Sequence, residues 1–240
     1  MEPIPETMRV LRTQLERGDT NLAAGLQRIS RSALKIVPEC VGLSLASFSD
    51  GITYTLVSTR VDVASLDSVQ YLDGGPCVES AHEGHSVVSD TKDVLSEDAW
   101  QLYARASAAA GIASSLTLPV RNRSDKVIGT VNVYGSTPDA FRGRVEEMAQ
   151  AIGASAADAV ANADLSFGTC LTARHAPEIF EDQYDIDLAV GMLSEFRRCD
   201  VSLARERIRE AARRAGVTEG QVARTLRAAI TDNWDEGDED

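Results

Sequence analysis

Val41-Gly-Leu-Ser-Leu-Ala-Ser-Phe-Ser-Asp-Gly-Ile-Thr-Tyr-Thr-Leu56 decides the fold. Val41, Leu43 and Leu45 share one face of an extended chain. Asp50-Gly51 is a turn dipeptide, and Ile52, Tyr54 and Leu56 repeat the alternation. A period of two on both sides of such a turn predicts a β-hairpin. Outward from it, further strands are expected at 86–89, at 114–121 and at 126–134, the last two joined by the polar turn 122–125. Before the hairpin, Leu22, Leu26, Ile29, Ala33 and Ile36 recur at helical spacing over 21–37, and Pro38 stops them. Helices also fit 76–84, 97–110 and 140–165. Hairpins mixed with helices, without regular strand–helix–strand alternation, predict an α+β domain on an antiparallel sheet flanked by helices.

The chain has 240 residues, 43% of them hydrophobic and 25% charged, which suits one medium and one small globular domain. No apolar run approaches the roughly 20 residues that span a bilayer. Met1-Glu-Pro-Ile-Pro-Glu lacks the basic and apolar regions of a signal peptide, so a cytoplasmic location and no membrane partner are expected. A net charge of −13 disfavours broad adhesion to nucleic acid, so any such binding must come from a local patch. Cys40, Cys77, Cys170 and Cys199 have no CxxC spacing, and neither a zinc site nor a disulfide framework is expected.

The expected division is 1–165 for the larger domain, 166–181 for a linker, 182–231 for three short helices and 232–240 for an acidic tail around Trp234. Small side chains over 140–165 allow close helix packing, either on the sheet or on a second copy, so a homodimer is expected. In the C-terminal unit, Ile186, Ala189, Val190, Leu193 and Phe196 form one stripe of a helix expected over 178–196. Ala204, Ile208, Ala211, Ala212 and Ala215 form the second, capped by Asp200 or Ser202 and ended by Gly216. Thr218-Glu-Gly-Gln221 is a capping box, with Val217 and Val222 as its staple, and Leu226, Ala229 and Ile230 continue the third. Short stripes of this kind are expected to be buried against one another as a compact bundle. Arg205, Arg209, Arg213, Arg224 and Arg227 point away from the stripes. Guanidinium forks grip phosphate and stack on bases, although Glu206 and Glu210 interleave with them.

Residues 186–230, with Ile186-Asp-Leu-Ala-Val-Gly-Met-Leu193, Cys199-Asp-Val-Ser-Leu-Ala204 and Val217-Thr-Glu-Gly-Gln-Val-Ala223, resemble the ANTAR domain, a three-helix RNA-binding module of bacterial antiterminators. That family usually carries a basic residue where this chain has Val190. Tyr71-Leu-Asp-Gly-Gly-Pro-Cys-Val-Glu79, Gly84-His-Ser-Val-Val-Ser-Asp90, Gly111-Ile-Ala-Ser-Ser-Leu-Thr-Leu-Pro-Val120 and Val127-Ile-Gly-Thr-Val-Asn-Val-Tyr134 resemble a GAF domain, of the kind joined to ANTAR in actinobacterial regulators. The resemblance implies a six-stranded antiparallel sheet, a small-molecule pocket on one face and frequent dimerisation. It also implies a ligand-responsive antitermination regulator that binds paired RNA stem-loops. The other reading is a dimeric signalling adaptor whose helical bundle binds protein.

The candidate pocket residues are Tyr71, Pro76, Cys77 and His85; the ligand itself is unidentified, and no cofactor follows from the residues. Cys77 falls in the first turn of a helix, where the dipole would lower a thiol's pKa. A buried, inert thiol is the competing reading. His82, His85 and His175 are too dispersed to define a metal site, although the first two could converge with Cys77. No phosphate-cradling loop, nucleophile elbow or HExxH occurs, so an enzyme is not expected.

Overall fold

The computed structural model describes residues 20–91, 94, 99–163 and 182–231. The expected linker and the acidic tail lie outside them. In chain order the elements are α1 (Thr20–Ile36), β1 (Cys40–Ser49), β2 (Ile52–Ser58), α2 (Val61–Asp73), α3 (Pro76–Glu83) and β3 (Val87–Asp90). Next come α4 (Gln101–Ala109), β4 (Ser114–Arg121), β5 (Val127–Gly135), α5 (Val145–Ala161), α6 (Asp182–Arg197), α7 (Val201–Ala215) and α8 (Glu219–Thr231). The sheet runs β2-β1-β5-β4-β3 and every pairing is antiparallel. Five strands are present among the described residues, where the GAF resemblance implies six.

The hairpin forms as expected. Asp50 (φ 53°) and Gly51 (φ 78°) both take the left-handed conformation that a two-residue turn between twisted strands demands. Its side-chain pattern differs from the simple alternation. An irregularity at Cys40/Gly42 turns Val41 away from Leu43 and Leu45, onto the other side of the sheet. On β2 the polar Thr53 and Thr55 are buried and Ile52 is exposed. At the centre of the sheet, a Cβ on Gly129 would overlap the Ala46 carbonyl of the paired strand, so the close β1–β5 pairing there needs glycine.

One face of the sheet is apolar. Leu43, Leu45, Leu56, Leu116, Leu118, Val131 and Val133 meet α1 and α5 there. These two helices approach so closely that a Cβ on Gly25 would lie 3.0 Å from that of Ala159. The small residues of α5 are thus used, at least on this side, within the chain.

The opposite face carries Ser44, Thr55, Thr117, Thr130, Asn132 and Tyr134, all buried. Helices α2, α3 and α4 cover it. Helix α2 has no counterpart in the sequence reading. Val63 through Gln70 are buried without a break, so the helix has no exposed polar face and no legible stripe.

Helices α6, α7 and α8 pack on one another and also on the outer side of this layer. Ile186, Ala189, Val190, Leu193, Ala204, Ile208, Ala212, Val222, Leu226, Ala229 and Ile230 form one apolar cluster with Val63, Leu66 and Val69 of α2 and with Leu102, Tyr103 and Ala106 of α4. Helix α7 lies along α2 and β2, and α8 along α2 and α4. The expected self-contained bundle is therefore corrected. Its stripes are too wide for three short helices to cover, and the larger domain completes the burial.

Local signals in this unit are realised. The Asp200 carboxylate caps α7, accepting from the Ser202 amide at 2.7 Å, and Gly216 (φ 67°) ends it in the left-handed region. The capping box is reciprocal: Thr218 N–H donates to Gln221 Oε1 at 2.9 Å, and Gln221 N–H to Thr218 Oγ1 at 3.1 Å. Thr218→Ala is expected to lower stability by about 1 kcal/mol in urea titration, with an unchanged m-value.

Candidate functional site

Between the polar sheet face and α2 lies a closed network centred on Asp67. The residue projects from the inner side of α2, and its carboxylate is fully buried. One oxygen accepts from Tyr134 Oη at 2.8 Å and from Asn132 Nδ2 at 3.1 Å; the other accepts from Thr55 Oγ1 at 2.9 Å. Asn132 also donates to Ser44 Oγ at 3.1 Å and accepts from Thr117 Oγ1 at 3.0 Å, so together with Thr55 the network ties four neighbouring strands to one carboxylate. Burial pushes Asp67 up from the usual 3.8 to about 6, against the hydrogen bonds from Ser44, Tyr134, Thr55 and Asn132 that favour its ionised form.

Tyr71, one turn further along α2, joins the network through a 2.8 Å bond between its hydroxyl and Thr55 Oγ1. Gln70 bridges outward. Its Nε2 donates to Tyr134 Oη at 3.3 Å, and its Oε1 accepts the Cys77 amide at 2.7 Å. Pro76 and Cys77 are both buried at the start of α3. The Cys77 sulfur lies 3.2 Å from Thr130 Oγ1.

The dipole-activated reading of Cys77 is corrected. The residue does occupy the first turn of α3, but burial, and then the Asp67 carboxylate, push its thiol up to about 12. An uncharged thiol in that position is a poor nucleophile at neutral pH. His85 is corrected as well. Gly84 closes α3 in the left-handed conformation (φ 73°), and the chain leaves the layer, so His85 is exposed with its ring against the Ser86 carbonyl. The exposed His82 meets the Phe48 ring in a T-shaped contact, with centroids 5.0 Å apart. Among the described residues, no group of three or more His, Cys, Asp or Glu side chains is placed to hold a metal; His175 and Cys170 lie outside them.

Three of the four expected pocket residues, Tyr71, Pro76 and Cys77, thus border one buried polar cluster. Asp67, Gln70, Thr55, Thr130, Asn132 and Tyr134 were missed. The signal for part of this set is present in β5, where Thr130, Asn132 and Tyr134 alternate with Val131 and Val133. Alternation alone reads such a face as solvated.

The outer wall of the site comes from the C-terminal helices. The guanidinium of Arg214, in the last turn of α7, lies 4.2 Å from the centre of the Tyr71 ring, and its Nε donates to the Thr53 carbonyl at 2.9 Å. Arg197 at the end of α6 is ion-paired with Asp73 at the end of α2. Arg105 of α4 stands 5.9 Å from the Phe196 ring.

The arginines expected to face a partner are engaged by carboxylates. Arg205 pairs with Asp187, Arg209 with Glu219 at 3.3 Å, Arg213 with Glu210 at 2.7 Å, and Arg227 with Asp185. Arg224 is exposed but is not without a partner.

Residues 23–161 match the GAF domain family, more than half of the chain. The chain belongs to that family, and this part of it is a ligand-sensing regulatory domain. One solved structure, a type II free methionine-R-sulfoxide reductase from Thermoplasma acidophilum, is 15% identical, with 59% of this chain and 94% of that chain covered and a TM-score of 0.40. No curated protein matches the chain. No helix among the described residues is long and apolar enough to cross a membrane.

Proposed function

We propose that the chain is a ligand-responsive regulator. The GAF domain senses a small molecule at the Asp67–Tyr71 network, and α6–α8 carry the output. The observation that carries this reading is the shared apolar cluster of α2, α4, α6, α7 and α8. Helix α2 holds Asp67, Gln70 and Tyr71 on its inner side and the output helices on its outer side. A ligand that shifts α2 must therefore alter how α7 and α8 are held. The buried thiol of Cys77 supports a sensing role over a catalytic one, and a cytoplasmic regulator is the corresponding setting.

For the output we propose structured RNA, in the manner of an ANTAR-type antiterminator acting on paired stem-loops. Its support is the resemblance over 186–230 and the arginines on α7 and α8. Exposed ion pairs contribute little to stability, so phosphates can exchange with the carboxylates of Asp187, Glu210 and Glu219 at small cost. Changing Arg205, Arg209, Arg213, Arg224 and Arg227 together to glutamine is expected to flatten the slope of log K against log salt by about four in a gel-shift titration with paired stem-loops. An unchanged slope removes the RNA reading. The same ion pairs favour the second reading, in which the helices bind protein, because they leave a surface of mixed sign. Homodimerisation belongs to the proposal in either case, and light scattering at micromolar concentration tests it.

A further inference from the structure

Arg214 is held differently from Arg205, Arg209 and Arg213 of α7. Arg205, Arg209 and Arg213 are ion-paired with carboxylates of the C-terminal helices, Arg213 also interacting with Tyr54 of β2, whereas the contacts of Arg214 run to the GAF domain. There it lies against an aromatic face and donates to a strand carbonyl. The surroundings suit a planar cation. Tyr71 presents its ring, Thr53 presents its carbonyl, and Asp67 stands behind Thr55, which bonds both Asp67 and the Tyr71 hydroxyl. The positive charge of Arg214 is felt within the network, where it partly offsets the rise that burial imposes on Tyr71 and Cys77. Thr53 adds a second sign of an incompletely satisfied place. Its Oγ1 is buried, has no hydrogen-bond partner among the described residues, and by strand alternation faces the same side as Thr55.

We propose that Arg214 is a built-in occupant of a cation subsite formed by the Tyr71 ring and the Thr53 carbonyl. A ligand bearing a guanidinium or amidinium group takes the same place, displaces Arg214 and loosens α7 and α8 from the GAF domain. The proposal deepens the sensor reading above and rests on it. It names the chemical class of the ligand and explains how occupancy of the GAF site and release of the output helices are mutually linked. Two cations cannot share one ring face and one carbonyl, so the coupling is competitive.

Methylguanidinium at millimolar concentration is the probe, with binding followed through the tyrosine ring resonances and release followed through amide hydrogen exchange in α7 and α8. In Arg214→Ala the subsite is vacated. The expected results are probe binding at least about tenfold tighter than in the parent chain, and faster exchange in α7 and α8 before any probe is added. In the parent, the probe itself should speed that exchange. Arg214→Lys keeps a cation and should resemble the parent more than Arg214→Ala does, while Tyr71→Leu in the Arg214→Ala background should abolish the gain in binding. If Arg214→Ala speeds exchange but takes up no more probe than the parent, the ligand class is overturned and the coupling of the two parts stands. If exchange in α7 and α8 is the same in parent and Arg214→Ala, with or without probe, the release mechanism is overturned. Circular dichroism and the exchange of α1 and α5 identify a variant that has simply unfolded, in which case Arg214→Gln, close to the parent in volume, decides.

Discussion

Val190→Lys is expected to destabilise the folded chain by about 4 kcal/mol at pH 7. Val190 is 1% exposed and belongs to the cluster that joins α6 to α2, α4, α7 and α8. A lysine there must either hold an unpaired ammonium in an apolar surround, lose its proton several pH units below the usual value, or push α6 away and uncover the cluster. Each outcome has a cost of similar size. Urea titration at pH 7 measures it directly, and repetition near pH 10 should recover part of the loss, because a neutral amine is less costly to bury. Val190→Met adds an unbranched chain without the charge, so it isolates the overpacking part of the effect and should cost about 1–3 kcal/mol, less than the lysine variant. A lysine variant within 1 kcal/mol of the parent would show that residue 190 is not inside a shared core. The ANTAR resemblance usually places a basic residue at this position. Valine here fits a first C-terminal helix packed on α7 and α8 within an apolar cluster that is shared with the sensor domain.

Asp67→Asn is expected to gain stability relative to the parent as pH rises, by roughly 3 kcal/mol between pH 3.5 and pH 7.5. Burial lifts the Asp67 carboxyl from 3.8 to about 6 in the folded chain. Below pH 3.8 the group is protonated in both folded and unfolded states, and it adds no pH dependence. From 3.8 to about 6 the unfolded chain loses its proton first, so folding is progressively penalised as pH rises. Above about 6 both states are ionised and the full penalty remains. Asparagine cannot ionise and carries no such penalty. Its altered hydrogen bonds to Thr55 and Tyr134 shift stability by an amount that does not change with pH, so the informative quantity is the variant-minus-parent difference across the range. A flat difference would mean that Asp67 ionises in the folded chain as freely as in water.

Sequence periodicity located the elements whose polar and apolar residues keep to opposite sides, whether or not the polar side meets water. Helix α1, the Asp50-Gly51 hairpin and strands β4 and β5 all lie close to their expected bounds, as do the caps at Asp200, Gly216 and Thr218. It failed on α2, where polar and apolar residues mix without a regular stripe. Helix α2 mixes Asp67, Ser68 and Gln70 with Val63, Leu66 and Val69, and every one of them is buried. Asp67 and Gln70 face the sheet network, Ser68 turns its hydroxyl back onto the Ser65 carbonyl, and the apolar residues join the cluster of the C-terminal helices, a pattern with no solvated face to give it a period. The network was missed because a polar stripe on a strand ordinarily means water. Arg214 could not be told apart from Arg213 in sequence. The two point to different partners only because α7 lies along α2, and that placement comes from long-range packing that local spacing does not encode.

The double-sided burial of α2 bears on how this molecule can be taken apart. A cut between the two segments, at the place where composition changes, would strip the outer side of α2 and α4 of its cover and leave Leu66, Val69 and Leu102 to the solvent. The sensing half is thus not a free-standing cassette that can be exchanged or recombined without a replacement lid. Any change in the last three helices is inherited as a change in the sensor's own solubility.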